Sequence, residues 1–195
     1  MKQEATTQTK QISNSATRTT PWRLTPVARK AVLVLHVVAG IGWMGVDIAL
    51  LVLLITARTT NDAALAISGF NAIGMIVPVA VPPLSLGILV TGLMLGLGTR
   101  WGLVRYWWVL VKLLLSLIMT VLVFVSLVPA VSGIAILTAT TISADAVRAS
   151  LGTLPTMLMF PPVVSFLMLG AAAILSIFKP WQRTPWSRES GTGPM

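Results

Sequence analysis

The sequence predicts an all-α, polytopic membrane protein: a bundle of four transmembrane helices with short outer-surface helices. Apolar residues make up 55% of the 195 residues and charged residues only 10%, which is far from the average of soluble proteins. At about 1.5 Å per helical residue, a run of about 20 apolar residues crosses about 30 Å of hydrocarbon. Four apolar segments meet this requirement, at about residues 31–57, 78–98, 106–128 and 154–178.

The chain begins with a polar tail, residues 1–25, which is rich in Thr, Ser and Gln. Such a composition cannot offset the entropy of ordering, so we predict a disordered tail. The first helix is predicted to begin at Thr25 and Pro26. A threonine side chain can accept a hydrogen bond from the first helical turn, and proline suits the first helical position.

The first apolar segment carries a polar stripe, which we define as His36, Gly40, Trp43 and Asp47. Spacings of four, three and four residues place them on one side of a helix. A lipid-facing carboxylate near the bilayer centre costs at least about 2.5 kcal/mol, so we expect Asp47 to face the other helices. It is then either a proton or cation site or a hydrogen-bonded structural group. His36 is either a metal ligand or proton relay, or a neutral imidazole bonded to a hydroxyl or carbonyl of another helix.

The second helical region, 63–98, follows Asp62, which is predicted to be its N-cap. One helix of this length would measure about 54 Å and would exceed the bilayer. Three prolines lie between positions 78 and 83, and each removes a backbone donor. We therefore expect a break at the prolines, with a short outer helix over 63–77 and a span over 78–98. One kinked helix over 63–98 is the alternative.

A basic and aromatic segment, GTRWGLVRYWWVLVK, enters the third span. Tryptophan, tyrosine and basic residues are typical of the membrane–water interface. Lys112 either pairs with Asp47 or snorkels to the headgroups, and the predicted depths of the two residues favour snorkelling. We expect an interfacial or lipid-headgroup role for Arg100, Trp101, Arg105, Trp108 and Lys112.

After the third span, Ser143 is predicted to cap a short outer helix that ends at Gly152. The fourth span follows, and a basic tail ends the sequence. The predicted divisions of the chain are the first tail, 1–25, a four-helix transmembrane domain, 26–182, and the second tail, 183–195.

The basic residues predict an orientation. Of the 14 Lys and Arg residues, all but Arg58 and Arg148 lie on the side of the two tails and the 98–112 segment. The positive-inside rule then predicts a protein of the inner or plasma membrane with both termini in the cytoplasm. Because the net charge of +9 flanks the spans, we expect no nucleic-acid partner. The absence of cysteine excludes disulfides and thiolate metal sites.

Two motifs carry a family resemblance: LHVVAGIGWMGVDIALLVLL at 35–54 and GTRWGLVRYWWVLVKLLL at 98–115. With the region 78–92 between them, they resemble a group of bacterial four-helix integral-membrane proteins of uncharacterised function, distantly similar to the CopD-like copper-resistance membrane proteins. The resemblance covers about residues 31–120. It implies no assigned activity, and the CopD-like relatives imply copper or haem handling. With one histidine per chain, bis-histidine haem ligation would require His36 from two chains.

We predict no enzyme, no cofactor and no metal site, since the sequence has no catalytic triad, carboxylate pair or phosphate-binding loop. The main hypothesis is a structural or partner subunit that contacts the lipid bilayer and a membrane-protein partner or a second copy. An alternative is a transporter or ligand-binding protein. Its lining, His36, Trp43 and Asp47, would handle a proton, a cation or a small apolar compound. A further alternative is a haem or copper membrane protein.

Overall fold

The structure is a computed structural model that describes residues 24–98, 103, 106–134 and 143–178. These residues form an all-α bundle, which confirms the predicted fold class. Four of its helices are long and apolar enough to cross a membrane, as expected of a multi-pass membrane protein. We call them the first to fourth spans: Pro26–Thr59, Ala63–Gly98, Trp107–Val131 and Leu154–Phe178.

The spans pack in a ring. The first span packs most extensively on the second and also contacts the fourth, while the third contacts the second and the fourth. The backbone N–H of Leu24 donates to the carbonyl of Gly98 at 3.1 Å, so the start of the first span lies beside the end of the second. We call this end of the bundle the Leu24 end. The opposite end, where residues 60–62 connect these two helices, is the Thr60 end.

Side-chain caps begin three of the helices, as the sequence predicts. In each, a side-chain oxygen accepts a hydrogen bond from a backbone N–H of the first turn. The short helix Ala144–Leu151 ends before Gly152, whose φ of 55° is one that glycine adopts readily. The capping bonds are Ala28 to Thr25 at 3.2 Å, Ala64 to Asp62 at 2.8 Å, and Ala146 to Ser143 at 3.1 Å.

The second span is one continuous helix, and the predicted break at its prolines was wrong. Residues 63–77 are therefore the first half of this span and not a separate helix. Val77, Val81 and Ser85 recur one turn apart and stay buried across the proline region, so packing on one face holds the helix together. The Ser85 hydroxyl also donates to the carbonyl of Pro82 at 2.8 Å.

The third span continues past residue 128, where the sequence predicts its end near Pro129. Its α-helix Trp107–Leu122 widens into a π-helical stretch, Val123–Leu127, and returns to α-helix at Val128–Val131. The wider turn accommodates the ring of Pro129 without ending the helix. The fourth span consists of two helices, Leu154–Met157 and Phe160–Phe178.

The densest packing lies toward the Thr60 end. The short helix Ala144–Leu151 covers this end, and its Arg148 Nη1 donates to the carbonyl of Thr60 at 2.7 Å. Arg148 also forms an ion pair with Asp145, one turn earlier in the helix. Most of the completely buried apolar side chains lie in this half: Leu54, Phe70, Ile73, Val77, Val131, Ile134 and Val147.

Candidate functional site

Three residues of the polar stripe, His36, Trp43 and Asp47, face the other spans. Trp43 is 3% exposed and Asp47 is 2% exposed, and both lie on the buried face of the helix. His36 and Gly40 are half-buried. The opposite face carries exposed apolar residues such as Ile41. Helical periodicity thus separates a lipid-facing side from a side that contacts neighbouring helices.

His36 makes a hydrogen bond between two spans. Its Nδ1 lies 2.8 Å from Oγ1 of Thr91, which is buried in the second span. The Thr91 hydroxyl lies 2.5 Å from the carbonyl of Gly87, and a carbonyl can only accept. The hydroxyl hydrogen therefore points to Gly87, and Thr91 accepts a hydrogen bond from Nδ1–H of His36. This contact joins the first span to the second.

The imidazole ring of His36 packs against the second span at Gly92. A Cβ at this position would lie 3.4 Å from Cε1 of His36 and 3.9 Å from its Nδ1. These are ordinary van der Waals distances, so a small residue at position 92 leaves room for the ring of His36 beside Thr91.

Lys112 of the third span lies on the same half of the bundle. Its Nζ donates to Oγ of Ser176 in the fourth span at 2.7 Å and lies 4.7 Å from the centroid of the Trp108 ring. All four spans therefore contribute polar groups to this half of the molecule. We call the set the four-span cluster: His36, Thr91, Lys112 and Ser176.

Asp47 lies between the first and fourth spans. The donors near its carboxyl group are the hydroxyl of Ser165 in the fourth span and the side chain of Trp43, one turn earlier in its own helix. Its Oδ2 is buried and has no hydrogen-bond partner among the described residues. An unsatisfied buried oxygen costs about 1–3 kcal/mol. Asp47 is therefore a costly group at this position.

His36 and Asp47 do not form one site. They lie three turns apart, which corresponds to about 16 Å along the helix axis. His36 belongs to the four-span cluster, whereas Asp47 contacts Ser165 and Trp43 closer to the middle of the bundle. In the part of the chain that the structure describes, no three His, Cys, Asp or Glu side chains lie together as a metal site would require.

The predicted interfacial residues divide into two groups. Trp108 and Lys112 are in contact with each other, as described above. Arg100, Trp101 and Arg105 lie outside the described residues.

Three polar partners were not predicted from the sequence. Thr91, Ser165 and Ser176 each interact with an ionisable residue of another span. The available signal was their position in apolar segments, where a hydroxyl finds few other partners. The pairing of these hydroxyls with ionisable residues could not be predicted from the sequence, because it depends on where each helix begins relative to its neighbour.

Comparisons with protein-family models, with curated proteins and with solved structures find no match. The resemblance to the four-helix family and its CopD-like relatives therefore rests on the two sequence motifs and the region 78–92 between them.

Proposed function

We propose that this protein is a non-enzymatic component of the inner or plasma membrane, a structural or partner subunit with both termini in the cytoplasm. The observation that carries the proposal is the hydrogen bond between His36 and Thr91. One nitrogen of the imidazole forms this bond, which joins two helices, and the ring packs against Gly92. Interhelical hydrogen bonds and small residues are the contacts by which membrane helices associate.

The orientation follows from charge. Lys and Arg are concentrated beside the two tails and the 98–112 segment, whereas Arg58 and Arg148 are the basic residues of the opposite side. This asymmetry supports cytoplasmic termini through the positive-inside rule. The role as a partner subunit requires a second polypeptide or a second copy in the membrane.

A second candidate function is favoured by Asp47. A buried carboxyl group whose Oδ2 has no partner among the described residues is costly for the fold. Ionisable groups inside membrane proteins often mark proton or ion pathways. The second candidate is therefore transport of a proton or a cation, with Asp47 as the binding group and Trp43 beside it. Binding of a small apolar compound or of copper or haem has no comparable observation in its favour.

Reconstitution separates the two candidates. Purified protein is placed in vesicles that contain a pH-sensitive dye, and the internal pH is followed after a proton gradient is imposed. For a structural subunit, vesicles with the wild type, with Asp47→Asn and with the control Asp62→Asn should all match empty vesicles. Asp62 is an exposed helix cap, so its variant tests for nonspecific effects.

Proton flux above that of empty vesicles in the wild type, lost in Asp47→Asn and kept in Asp62→Asn, would overturn the structural proposal. The partner role is tested separately, by the mass of the complex extracted from membranes in a mild detergent. A chain that runs as a single copy without a second polypeptide would contradict that role.

A further inference from the structure

The first span brings no opposite charge to Asp47. His36 and Arg58 are the nearest ionisable residues on either side of it, and each is eleven residues away, or about 16 Å along the helix axis. His36 is bonded to Thr91, and the guanidinium of Arg58 donates to Sδ of Met159 at 2.7 Å. Neither of these side chains forms an ion pair with the carboxyl group.

The other spans bring no charge to this carboxyl group either. The second and fourth spans contain no Asp, Glu, Lys, Arg, His or Tyr. The third span contains one ionisable residue, Lys112, whose ammonium donates to Ser176. Ser176 follows Ser165, the neighbour of Asp47, by eleven residues or about 16 Å along the fourth span. Asp47 therefore forms no ion pair with any residue that the structure describes.

The carboxyl group is almost completely buried. Asp47 is 2% exposed, and its Oδ2 has no hydrogen-bond partner among the described residues. Burying a charge without a partner costs far more than burying a neutral polar group, so an isolated buried acid takes up a proton. The neutral acid is therefore the form that suits this position between apolar helices.

The surroundings of Asp47 suit a proton better than a metal cation. Hard cations such as Ca²⁺ and Mg²⁺ take about six or more oxygen ligands. The side chains that hydrogen-bond to the carboxyl group are Ser165 and Trp43. A serine supplies one oxygen, whereas an indole N–H can only donate and cannot bind a cation.

We propose that Asp47 is a proton-binding site, whose carboxyl group holds a proton in the membrane at neutral pH and takes no metal cation. Oδ2 is the oxygen that carries the proton, because it receives no hydrogen bond from a described residue. The proposal rests on neither candidate function. For a transporter, it makes the proton, and not a metal cation, the ion that Asp47 binds.

The test is nuclear magnetic resonance of the full-length protein in a neutral detergent, with ¹³C at the side-chain carboxyl carbon of aspartate. The chain has three aspartates, so three carboxyl resonances are expected. Asp62 and Asp145 are exposed and serve as references, since exposed carboxyl groups are ionised at neutral pH. We expect the Asp47 resonance at the position of a protonated acid. On acidification, the other two resonances should shift to that position while the Asp47 resonance stays.

Variants assign the resonances, and a change of salt tests the ligand. Asp47→Asn should remove the resonance of the protonated acid. If that variant does not fold, Asp62→Asn and Asp145→Asn assign the Asp47 resonance by elimination. Replacing choline chloride by sodium chloride or calcium chloride should leave the resonance in place.

An Asp47 resonance at the carboxylate position at neutral pH would contradict the proposal. A shift to that position on adding sodium or calcium would show a metal-cation site instead. The measurement needs no proton gradient and no partner, so its failure is distinct from failure of either candidate function.

Discussion

The hydrogen bond between His36 and Thr91 can be measured as a single interaction. Thr91→Val removes the hydroxyl and keeps the shape of the side chain, so Nδ1 of His36 loses its hydrogen bond to Thr91. Interhelical hydrogen bonds in membranes contribute about 0.6 kcal/mol on average and up to about 1.7 kcal/mol. We expect the free energy of unfolding in mixed micelles to fall by that amount, measured by denaturant titration with tryptophan fluorescence.

A double-mutant cycle assigns this loss to the pair. His36→Phe removes the donor but retains a ring against Gly92, and the double variant with Thr91→Val should cost less than the two single losses added together. Additive losses would mean that the two side chains stabilise the bundle separately.

For the individual residues of the polar stripe, the orientation was predictable from the sequence and the hydrogen-bond partners were not. The spacing of His36, Trp43 and Asp47 places them on one helical face, and the cost of a carboxylate in lipid directs that face inward. Nothing in the sequence selects Thr91 over the other hydroxyls of the spans. That choice depends on the relative depth of two helices, which the connection at residues 60–62 sets.

The contact between the first two spans depends on a small residue at its closest point. A Cβ at Gly69 would lie 2.9 Å from Cβ of Ala57, which is completely buried. Gly69→Ala would therefore force the two helices apart. Overpacking of this kind costs about 1–3 kcal/mol, and we expect the thermal unfolding temperature to fall accordingly.

Gly40→Ala is the matched control for this prediction. A Cβ at Gly40 would meet no atom within 4 Å, and alanine is the better helix former. We expect its unfolding temperature to equal or exceed that of the wild type. If both alanine variants lose the same stability, helix approach at Gly69 is not the cause.

At the element scale, helix starts were predictable from local chemistry, whereas continuity through proline was not. Thr25, Asp62 and Ser143 act within their own helical turn, so a few residues of sequence suffice to predict each cap. The second span remains helical across three prolines because its inner face is buried from Val77 to Ser85. That stabilisation comes from neighbouring spans, so it could not be predicted from the sequence of the segment itself.

The orientation of the whole molecule can be tested by labelling, since the chain has no cysteine. Ser150→Cys introduces a thiol on the exposed side of the short helix Ala144–Leu151, and Lys30→Cys introduces one near the Leu24 end. We expect a membrane-impermeant maleimide to label Ser150→Cys in intact cells. Lys30→Cys should react only after the membrane is permeabilised. The opposite pattern would reverse the proposed orientation.

At the scale of the whole molecule, the four-span architecture was predictable from hydropathy because each span must be apolar along about 30 Å. The uneven packing of the bundle was not. Completely buried side chains gather toward the Thr60 end, while the polar residues of the four-span cluster lie toward the Leu24 end. This distribution depends on how the helices pack against one another, so it could not be predicted from composition alone.

The lengths of the first two spans affect how the protein fits its membrane. With 34 and 36 residues, they measure about 51 Å and 54 Å, while transmembrane helices incline by at most about 40° from the bilayer normal. Even at that inclination, about 12 Å of the first helix and about 15 Å of the second lie beyond about 30 Å of hydrocarbon. One or two helical turns can therefore enter or leave the acyl layer, which lets this hairpin adapt to bilayers of different thickness.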